Sequence, residues 1–198
     1  MEPFPPTSAA LEDPNGLLAV GGDLSAARLL EAYQRGIFPW YEPGEPILWW
    51  TPQPRAVLRP TEFHASKSLR KFLKTNKWQI DYDLRFEQVI DACAATSPGR
   101  EETWISDDIK AAYLELHRLG YAHSVEVLDN DRLIGGLYGV KLGKIFFGES
   151  MFSMTSNASK VALKALCVLC APGGLKLIDC QMTNEHLASL GMTLITRE

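Results

Sequence analysis

The stretch Ile145-Phe146-Phe147-Gly148-Glu149-Ser150-Met151-Phe152 is an apolar, strand-like run that one carboxylate interrupts. Its Phe and Met residues favour burial, and burying an ionised carboxylate costs several kcal/mol unless the group is paired or hydrogen-bonded. A second run of this kind lies at 177–182, where Asp179 is the acid among apolar neighbours. Two strands that each carry one buried acid predict the walls of a functional site.

The segments around these two runs follow a regular pattern of helices and strands. Strands are predicted at 123–128, 132–140 and 144–152, and the short turns between them indicate an antiparallel meander. A helix at 156–170 then precedes a strand at 176–182. The order of all elements predicts an α+β fold with a mixed sheet. The remaining predicted elements are helices at 66–75, 86–95 and 107–119 and from Asn184, and strands at 56–58, 78–82 and 192–196.

The N-terminal segment differs in composition from the rest, since eight of the twelve prolines lie in the first 53 residues. A strand is predicted there at 17–20 and a helix at 25–35. We therefore predict two domains, a small N-terminal one at 1–54 and a larger one at 55–198.

The overall composition is that of an ordinary globular protein, with 46% hydrophobic and 22% charged residues. The N-terminus carries no basic and apolar leader, and no apolar run is long enough to span a bilayer. We therefore expect a cytoplasmic protein with no membrane partner. The net charge of −4 argues against nucleic-acid binding by the whole surface, although it leaves room for a local basic surface.

Metal and nucleotide motifs give no support for a bound cofactor. HExxH and GxSxG are absent, and Cys167 and Cys170 have CxxC spacing without a second pair of ligands. Both cysteines fall in a predicted helix, so we interpret them as reduced structural thiols. The segment 139–144 is one residue short of a phosphate-binding loop and precedes a strand, so it is predicted to be a hairpin turn. We expect no metal and no cofactor.

Four cations fall on one face of the predicted helix at 66–75. Lys67, Arg70, Lys71 and Lys74 are spaced i, i+3, i+4 and i+7, and we call them the basic strip. They form either a solvated face opposite Leu69 or a strip that contacts nucleic-acid phosphates. The tryptophans have a similar pair of interpretations, as core residues or as surfaces that stack on an unpaired base.

The two acids suggest a pocket if their strands are neighbours. Glu149 would then lie near Asp179 and Gln181, which alternation places on one face of their strand. The acids either satisfy buried backbone groups or bind an amine beside a pocket for an apolar side chain. Phe147, Met151 and Phe152 would form the floor of that pocket.

The chain resembles the bacterial leucyl/phenylalanyl-tRNA–protein transferases over nearly all of its length. The segments that carry the resemblance are Pro14–Leu24, Ala32–Trp40, Ile47–Pro52, Thr103–Ile105, Gly148–Ser153 and Leu177–Gln181. The resemblance implies a GCN5-related acyltransferase-like catalytic domain with a mixed sheet, preceded by a small N-terminal α/β domain. It also implies a monomer without a cofactor.

The resemblance implies a reaction and its partners. Leucine or phenylalanine, with methionine as a further substrate, passes from aminoacyl-tRNA to a protein that begins with Arg or Lys. The product is marked for degradation through the N-degron pathway. An aminoacyl ester is already activated, so such an enzyme must orient an amine, assist one proton transfer and exclude water.

The resemblance also implies roles for individual residues. Asp179 and Gln181 correspond to the catalytic pair, acting either on the amine or through positioning, and Glu149 binds the aminoacyl group or the amine. Replacement of Asp179 by Ala is expected to abolish transfer and leave the fold intact. The further implied substrate-binding residues are Leu137, Met151, Phe152, Asn184, Trp40 and Trp104, and the implied tRNA-binding residues are Lys67, Arg70, Lys71 and Lys74.

Two alternatives belong to other functional classes. An acyl-coenzyme A-dependent N-acyltransferase of the same fold would need a glycine-rich pyrophosphate loop, whereas residues 153–159 contain no glycine. A non-catalytic RNA-binding module would explain the basic strip and the tryptophans but not the two buried acids.

Overall fold

A computed structural model of the protein describes residues 3–95, 103–169 and 174–196. In its N-terminal part, three strands form a small antiparallel sheet in the order β1-β3-β2, and helix α1 lies between β1 and β2 in sequence. The elements are β1 (Leu17–Val20), α1 (Ala26–Gln34), β2 (Phe38–Pro39) and β3 (Leu48–Trp50). The predicted strand at 17–20 is confirmed, and the predicted helix is one residue shorter at each end.

The rest of the chain forms a seven-stranded sheet in the order β10-β4-β9-β8-β7-β6-β5. The pair β8–β9 is parallel and every other neighbouring pair is antiparallel, so the predicted mixed α+β sheet and its central meander are confirmed. The strands are β4 (Arg55–Leu58), β5 (Gln79–Tyr82), β6 (Ala122–Asp129), β7 (Arg132–Leu142), β8 (Ile145–Ser153), β9 (Leu177–Gln181) and β10 (Thr193–Ile195). The helices are α2 (Lys67–Thr75), α3 (Phe86–Ala94), α4 (Asp107–Arg118), α5 (Ala158–Leu169) and α6 (Glu185–Ser189).

Polar caps mark where four of the described helices begin. The side chains of Ser25, Ser66, Ser106 and Asn184 each accept a hydrogen bond from a backbone N–H in the first turn of the helix that follows. A cap of this kind stabilises a helix by about 1 kcal/mol.

Two hydrophobic cores cover the two faces of the large sheet. Phe146 and Phe147 illustrate the division, because neighbouring residues of a strand point to opposite faces. The first core packs α1, α3 and α4 on the Phe147 face and includes Trp49 of the small sheet. The second core packs α2 and α5 on the Phe146 face. The first core therefore joins residues from both sides of position 54, and the two-domain division stays a prediction.

A bulge and a separation of strands shape the centre of the sheet. Across β7 and β8, Tyr138 pairs with Ser150 and Gly139 pairs with Gly148, so Glu149 has no partner. The parallel pairing of β8 with β9 ends at Phe147 and Asp179, next to the bulge. The two strands separate beyond that point, and a gap opens between them.

Some sequence predictions fall outside the described residues. Cys170 and the predicted loop at 97–100 are among them. Within the described ranges, no helix is long and apolar enough to cross a bilayer.

Candidate active site

Glu149 lies in the bulge of β8, and two tyrosines hold its carboxylate. The hydroxyl of Tyr33 on α1 donates to Oε1 at 2.7 Å, and the hydroxyl of Tyr113 on α4 donates to Oε2 at 2.9 Å. The two hydroxyl oxygens also lie within hydrogen-bond distance of each other. Both tyrosine rings are fully buried, at 1% and 0% exposure, so the fold closes this side of the carboxylate.

The environment raises the pKa of Glu149 from its ordinary value of 4.5 to about 7. Burial is the main cause, because it disfavours the charged form, and the charge of Asp179 acts in the same direction. The hydrogen bonds from Tyr33, Tyr113 and Gln181 each act in the opposite direction. Glu149 therefore changes protonation state close to neutral pH, which is where a general acid or base is most useful.

Asp179 lies beside Glu149 in the sheet, but it has a different partner. The guanidinium of Arg55 on β4 binds its carboxylate through two hydrogen bonds of 2.8 and 2.9 Å. Asp179 Oδ1 also accepts from the backbone N–H of Gln181 at 2.8 Å. Asp179 and Arg55 are 6% and 7% exposed, so this ion pair is buried. The carboxylate thus braces the end of β9 through the backbone of Gln181, whereas the Gln181 side chain contacts Glu149.

Gln181 ends β9 and turns towards Glu149. Its backbone has a φ of +64°, in the left-handed region, so the alternation of side chains along β9 stops at this residue. The prediction that Asp179 and Gln181 share one face of the strand depended on that alternation. The side-chain Nε2 donates to Glu149 Oε1 at 2.9 Å across the gap between β8 and β9. The structure therefore brings Glu149 and Gln181 into direct contact, with Asp179 behind them.

A cavity of about 400 Å³ opens next to this pair. Glu149, Ser150, Gln181, Asn184 and His186 contribute polar groups to its lining. Asn184 also caps α6, because its Oδ1 accepts from the backbone N–H of Leu187 at 2.8 Å. The apolar part of the lining comes mainly from Leu137, Phe146, Met151, Leu163, Leu166, Ile178 and Leu187.

The positions of Phe147 and Phe152 correct one sequence prediction. Both side chains pack into the first core rather than line the cavity, because Phe146 and Met151 face the second core and the next residue of the strand points to the opposite face. Leu137 and Met151 do line the cavity. Tyr138 lines it as well, a residue that the sequence analysis did not single out.

The two tryptophans implied for substrate binding lie away from the cavity lining. Trp40 is 38% exposed, and its ring meets that of Trp50 edge to face with 5.9 Å between centroids. Trp104 is half-buried against the first core. Trp40 therefore offers a partly exposed indole supported by a neighbour.

The basic strip lies on the exposed face of α2. Its four side chains point to solvent, while Leu69 on the opposite face is buried in the second core. Among the residues that the structure describes, none of the four forms an ion pair. The strip therefore presents uncompensated positive charge.

Three residues of the site escaped the sequence analysis. The sequence pattern places Tyr33 on the apolar face of α1 and Tyr113 on the apolar face of α4, and it places Arg55 at the start of a strand. A buried carboxylate needs donors, which is the only signal that could have prompted a search for them. That signal does not say which of the many hydroxyl and cationic side chains they are.

No metal centre emerges from the described part of the chain, where no group of three or more His, Cys, Asp or Glu could hold an ion. Cys93 and Cys167 are both buried. The second member of the CxxC pair, Cys170, lies outside the described residues.

Two family models match this chain. Residues 57–198 match the family model "Leucyl/phenylalanyl-tRNA protein transferase", and residues 22–53 match the model of its N-terminal domain. Proteins named leucyl/phenylalanyl-tRNA–protein transferase from Enterobacter sp. and Pseudomonas putida are 57% and 56% identical to it. Each match covers 98% of this chain, and 82% and 86% of the respective relative.

The likeness to one solved structure is weaker. A GCN5-related N-acetyltransferase-like protein from Streptococcus suis aligns with 86% of this chain and 64% of its own, at 14% identity and a TM-score of 0.42. That likeness is too weak to support an argument about the site. The two family models and the close relatives together show that the chain belongs to the leucyl/phenylalanyl-tRNA protein transferase family.

Proposed function

We propose that this chain transfers leucine or phenylalanine from aminoacyl-tRNA to the α-amine of a protein that begins with Arg or Lys. The observation that carries the proposal is the pairing of Glu149 and Gln181, 2.9 Å apart, at the wall of a largely apolar cavity. Relatives named for this transfer share more than half of the sequence. The transfer marks the acceptor for degradation, and the enzyme acts as a monomer in the cytoplasm.

The cavity suits the selection of an unbranched-at-Cβ side chain. Leu137 and Met151 come from the neighbouring strands β7 and β8, and Leu163 and Leu166 come from α5, so flexible aliphatic side chains line much of the cavity. A Met-containing wall adapts to both leucine and phenylalanine. A β-branched side chain carries its bulk nearer the ester, where rigid strand residues lie. Discrimination by one methyl group in such a pocket is about 10-fold to 200-fold.

The polar pair at the cavity wall suits the transfer step. The ester is activated before it arrives, so the protein needs to orient the amine and to handle one proton. Gln181 and Glu149 reach the cavity and are placed to bind the amine and the ester. Asp179 acts as a positioning residue, because it holds the Gln181 backbone and Arg55 rather than the cavity contents.

The tRNA contacts in this proposal extend beyond the cavity. Trp40 and Trp104 hold the terminal adenosine, for which the exposed indole of Trp40 is suited by stacking. The basic strip on α2 binds phosphates of the acceptor stem through counterion release. Neither contact requires a net positive protein, which agrees with the charge of −4.

The test is a transfer assay with purified protein, radiolabelled aminoacyl-tRNAs and short peptides. We expect label from Leu-tRNA and Phe-tRNA on peptides that begin with Arg or Lys. Ile-tRNA and Val-tRNA should react at least about ten times more slowly. An N-acetylated Arg peptide is the matched control, because its α-amine is blocked. Absence of transfer from Leu-tRNA to any free N-terminus contradicts the proposal.

A further inference from the structure

The carboxyl of Glu149 and the hydroxyls of Tyr33 and Tyr113 form a closed set of contacts, which we call the three-oxygen cluster. Tyr33 contacts Oε1, Tyr113 contacts Oε2, and the two hydroxyls contact each other. Each pair of partners is within hydrogen-bond distance, and each group comes from a different element. Each of the three contacts joins two oxygens, so each needs one proton to be a hydrogen bond.

The number of protons in the cluster depends on the state of Glu149. When the carboxyl is ionised, the two hydroxyls supply two protons for three contacts, and one pair of oxygens faces each other without a proton. When the carboxyl is protonated, three protons serve three contacts, and each group donates once and accepts once. The geometry of the cluster is therefore complete only with the third proton in place.

The titrating proton belongs to the carboxyl. Burial and the nearby Glu149 hold the pKa values of Tyr33 and Tyr113 well above 10, so both hydroxyls keep their protons at neutral pH. The other groups that face Glu149 come from β7 and β9. They are Tyr138, Asp179 with its partner Arg55, and Gln181, while Cys180 and His186 line the same cavity.

We propose that the three-oxygen cluster is the proton acceptor for the incoming amine, with Tyr33 and Tyr113 as positioning residues that act through Glu149. This inference rests on the proposed function. The acceptor arrives as an ammonium, and one N–H proton moves to the ionised carboxyl, which closes the ring of three hydrogen bonds. The neutral amine then attacks the ester carbonyl, so that the C–N bond forms and the bond to the tRNA 3′-oxygen breaks. That oxygen takes the amine's second proton, and the cluster returns its own proton to solvent.

A ring of three hydrogen bonds and a simple pair of tyrosine donors predict opposite changes in the pKa of Glu149 when one hydroxyl is removed. If the tyrosines act only as donors to an anion, removal of one hydroxyl should raise the pKa of Glu149. If they form a ring, Tyr33→Phe leaves the protonated carboxyl without a partner for its extra proton, and it also relieves the proton-free contact in the ionised state. The ring therefore predicts that the pKa of Glu149 falls, by about one unit for one hydrogen bond.

The experiment titrates Glu149 directly by 13C NMR of protein labelled at the glutamate carboxyl carbon. The Glu149 signal is assigned by its loss in E149Q. Tyr138→Phe is the matched control, since its hydroxyl is buried near Glu149 and has no hydrogen-bond partner among the described residues. We expect a midpoint near neutral pH in the wild type and in Y138F, and a lower midpoint in Y33F and Y113F.

Several results would overturn the inference. A higher or unchanged midpoint in Y33F and Y113F supports plain donors, and a wild-type midpoint at the ordinary glutamate value excludes the ring even if neither variant folds. A second readout is the pH profile of transfer, whose acid limb should move to lower pH in Y33F while the limb of the acceptor amine stays. A variant that loses rate without moving its limb indicates a structural role. If the wild type gives no transfer at all, the proposed function fails, whereas the titration still decides the ring.

Discussion

At the scale of single residues, two acids in adjacent strands have different partners and therefore different tasks. Asp179 faces the guanidinium of Arg55, whereas Glu149 faces only hydroxyls and an amide on its enclosed side. A cation stabilises the charged carboxylate, and burial without a cation favours the neutral one. Glu149 is therefore the candidate for acid–base chemistry, whereas Asp179 forms an ion pair with Arg55.

Asp179→Ala should lower the free energy of unfolding of the protein. The sequence analysis, by contrast, expects this variant to leave the fold intact. Removal of one partner leaves Arg55 buried and unpaired, at a cost of about 3–5 kcal/mol. Denaturant unfolding measures the loss. Glu62→Ala is the matched control, because its 3.4 Å pair with Arg59 is exposed and should contribute less than about 1 kcal/mol. Equal effects of the two changes would show that the Arg55 pair adds no stability.

Glu149 should make stability depend on pH. Its folded-state pKa of about 7 lies above the ordinary 4.5, so the folded state holds the proton more tightly than the unfolded one. The stability that Glu149 contributes is therefore fully present below pH 4.5 and is lost as the pH rises through 7, by about 3 kcal/mol in total. The free energy of unfolding of wild type and E149Q is measured from about pH 4 to about pH 8. Parallel curves for the two proteins would rule out this linkage.

At the scale of elements, the site depends on where β8 leaves both of its neighbours. The bulge at Glu149 interrupts its pairing with β7, and pairing with β9 stops at Phe147. The apolar run at 145–152 was sufficient to predict this strand. The bulge was not predictable, because an extra residue leaves the composition unchanged and only shifts which face the later side chains occupy. Phe152 was misplaced when the cavity-facing residues were chosen from composition.

The contact between α5 and β7 gives a prediction for packing. An added Cβ at Gly135 would meet the Cβ of Ala158 at 2.4 Å, and α5 carries part of the cavity wall. Gly135→Ala should therefore destabilise the fold by about 1–3 kcal/mol. Adding Ala158→Gly should recover part of this loss, as measured by thermal unfolding of the two variants. A double variant no more stable than Gly135→Ala alone would mean that the clash is not the cause.

The basic strip on α2 should contribute to tRNA affinity. Lys71→Glu with Lys74→Glu should weaken tRNA binding and flatten the dependence of the affinity on salt, because fewer counterions are released. In the matched control, Lys141 and Lys144, which are exposed in the β7–β8 hairpin, are both replaced by Glu, so the net charge changes by the same amount. Filter binding at several salt concentrations measures both. Equal losses in the two double variants would indicate a general charge effect instead of a local contact.

At the scale of the whole molecule, the site exists because distant segments converge. Tyr33 and Tyr113 reach Glu149 from helices on either side of the first core, 116 and 36 residues away in sequence. Arg55 and Asp179 are 124 residues apart. Sequence patterns identify the strands and the acids, since those signals are local. They cannot identify the partners, because many Tyr and Arg residues are locally equivalent and only the packed fold brings particular ones together.

The most direct test of the central claim is the single-turnover transfer of leucine from Leu-tRNA to an Arg-initiated peptide by wild type and by Gln181→Ala. Gln79→Ala is the matched control, since Gln79 lies exposed on β5. Gln181 joins the cavity to Glu149, so its loss should slow transfer at least about 100-fold. Thermal unfolding of Gln181→Ala should stay close to that of the wild type. Transfer by Gln181→Ala at the wild-type rate would place the reaction outside this site and contradict the account.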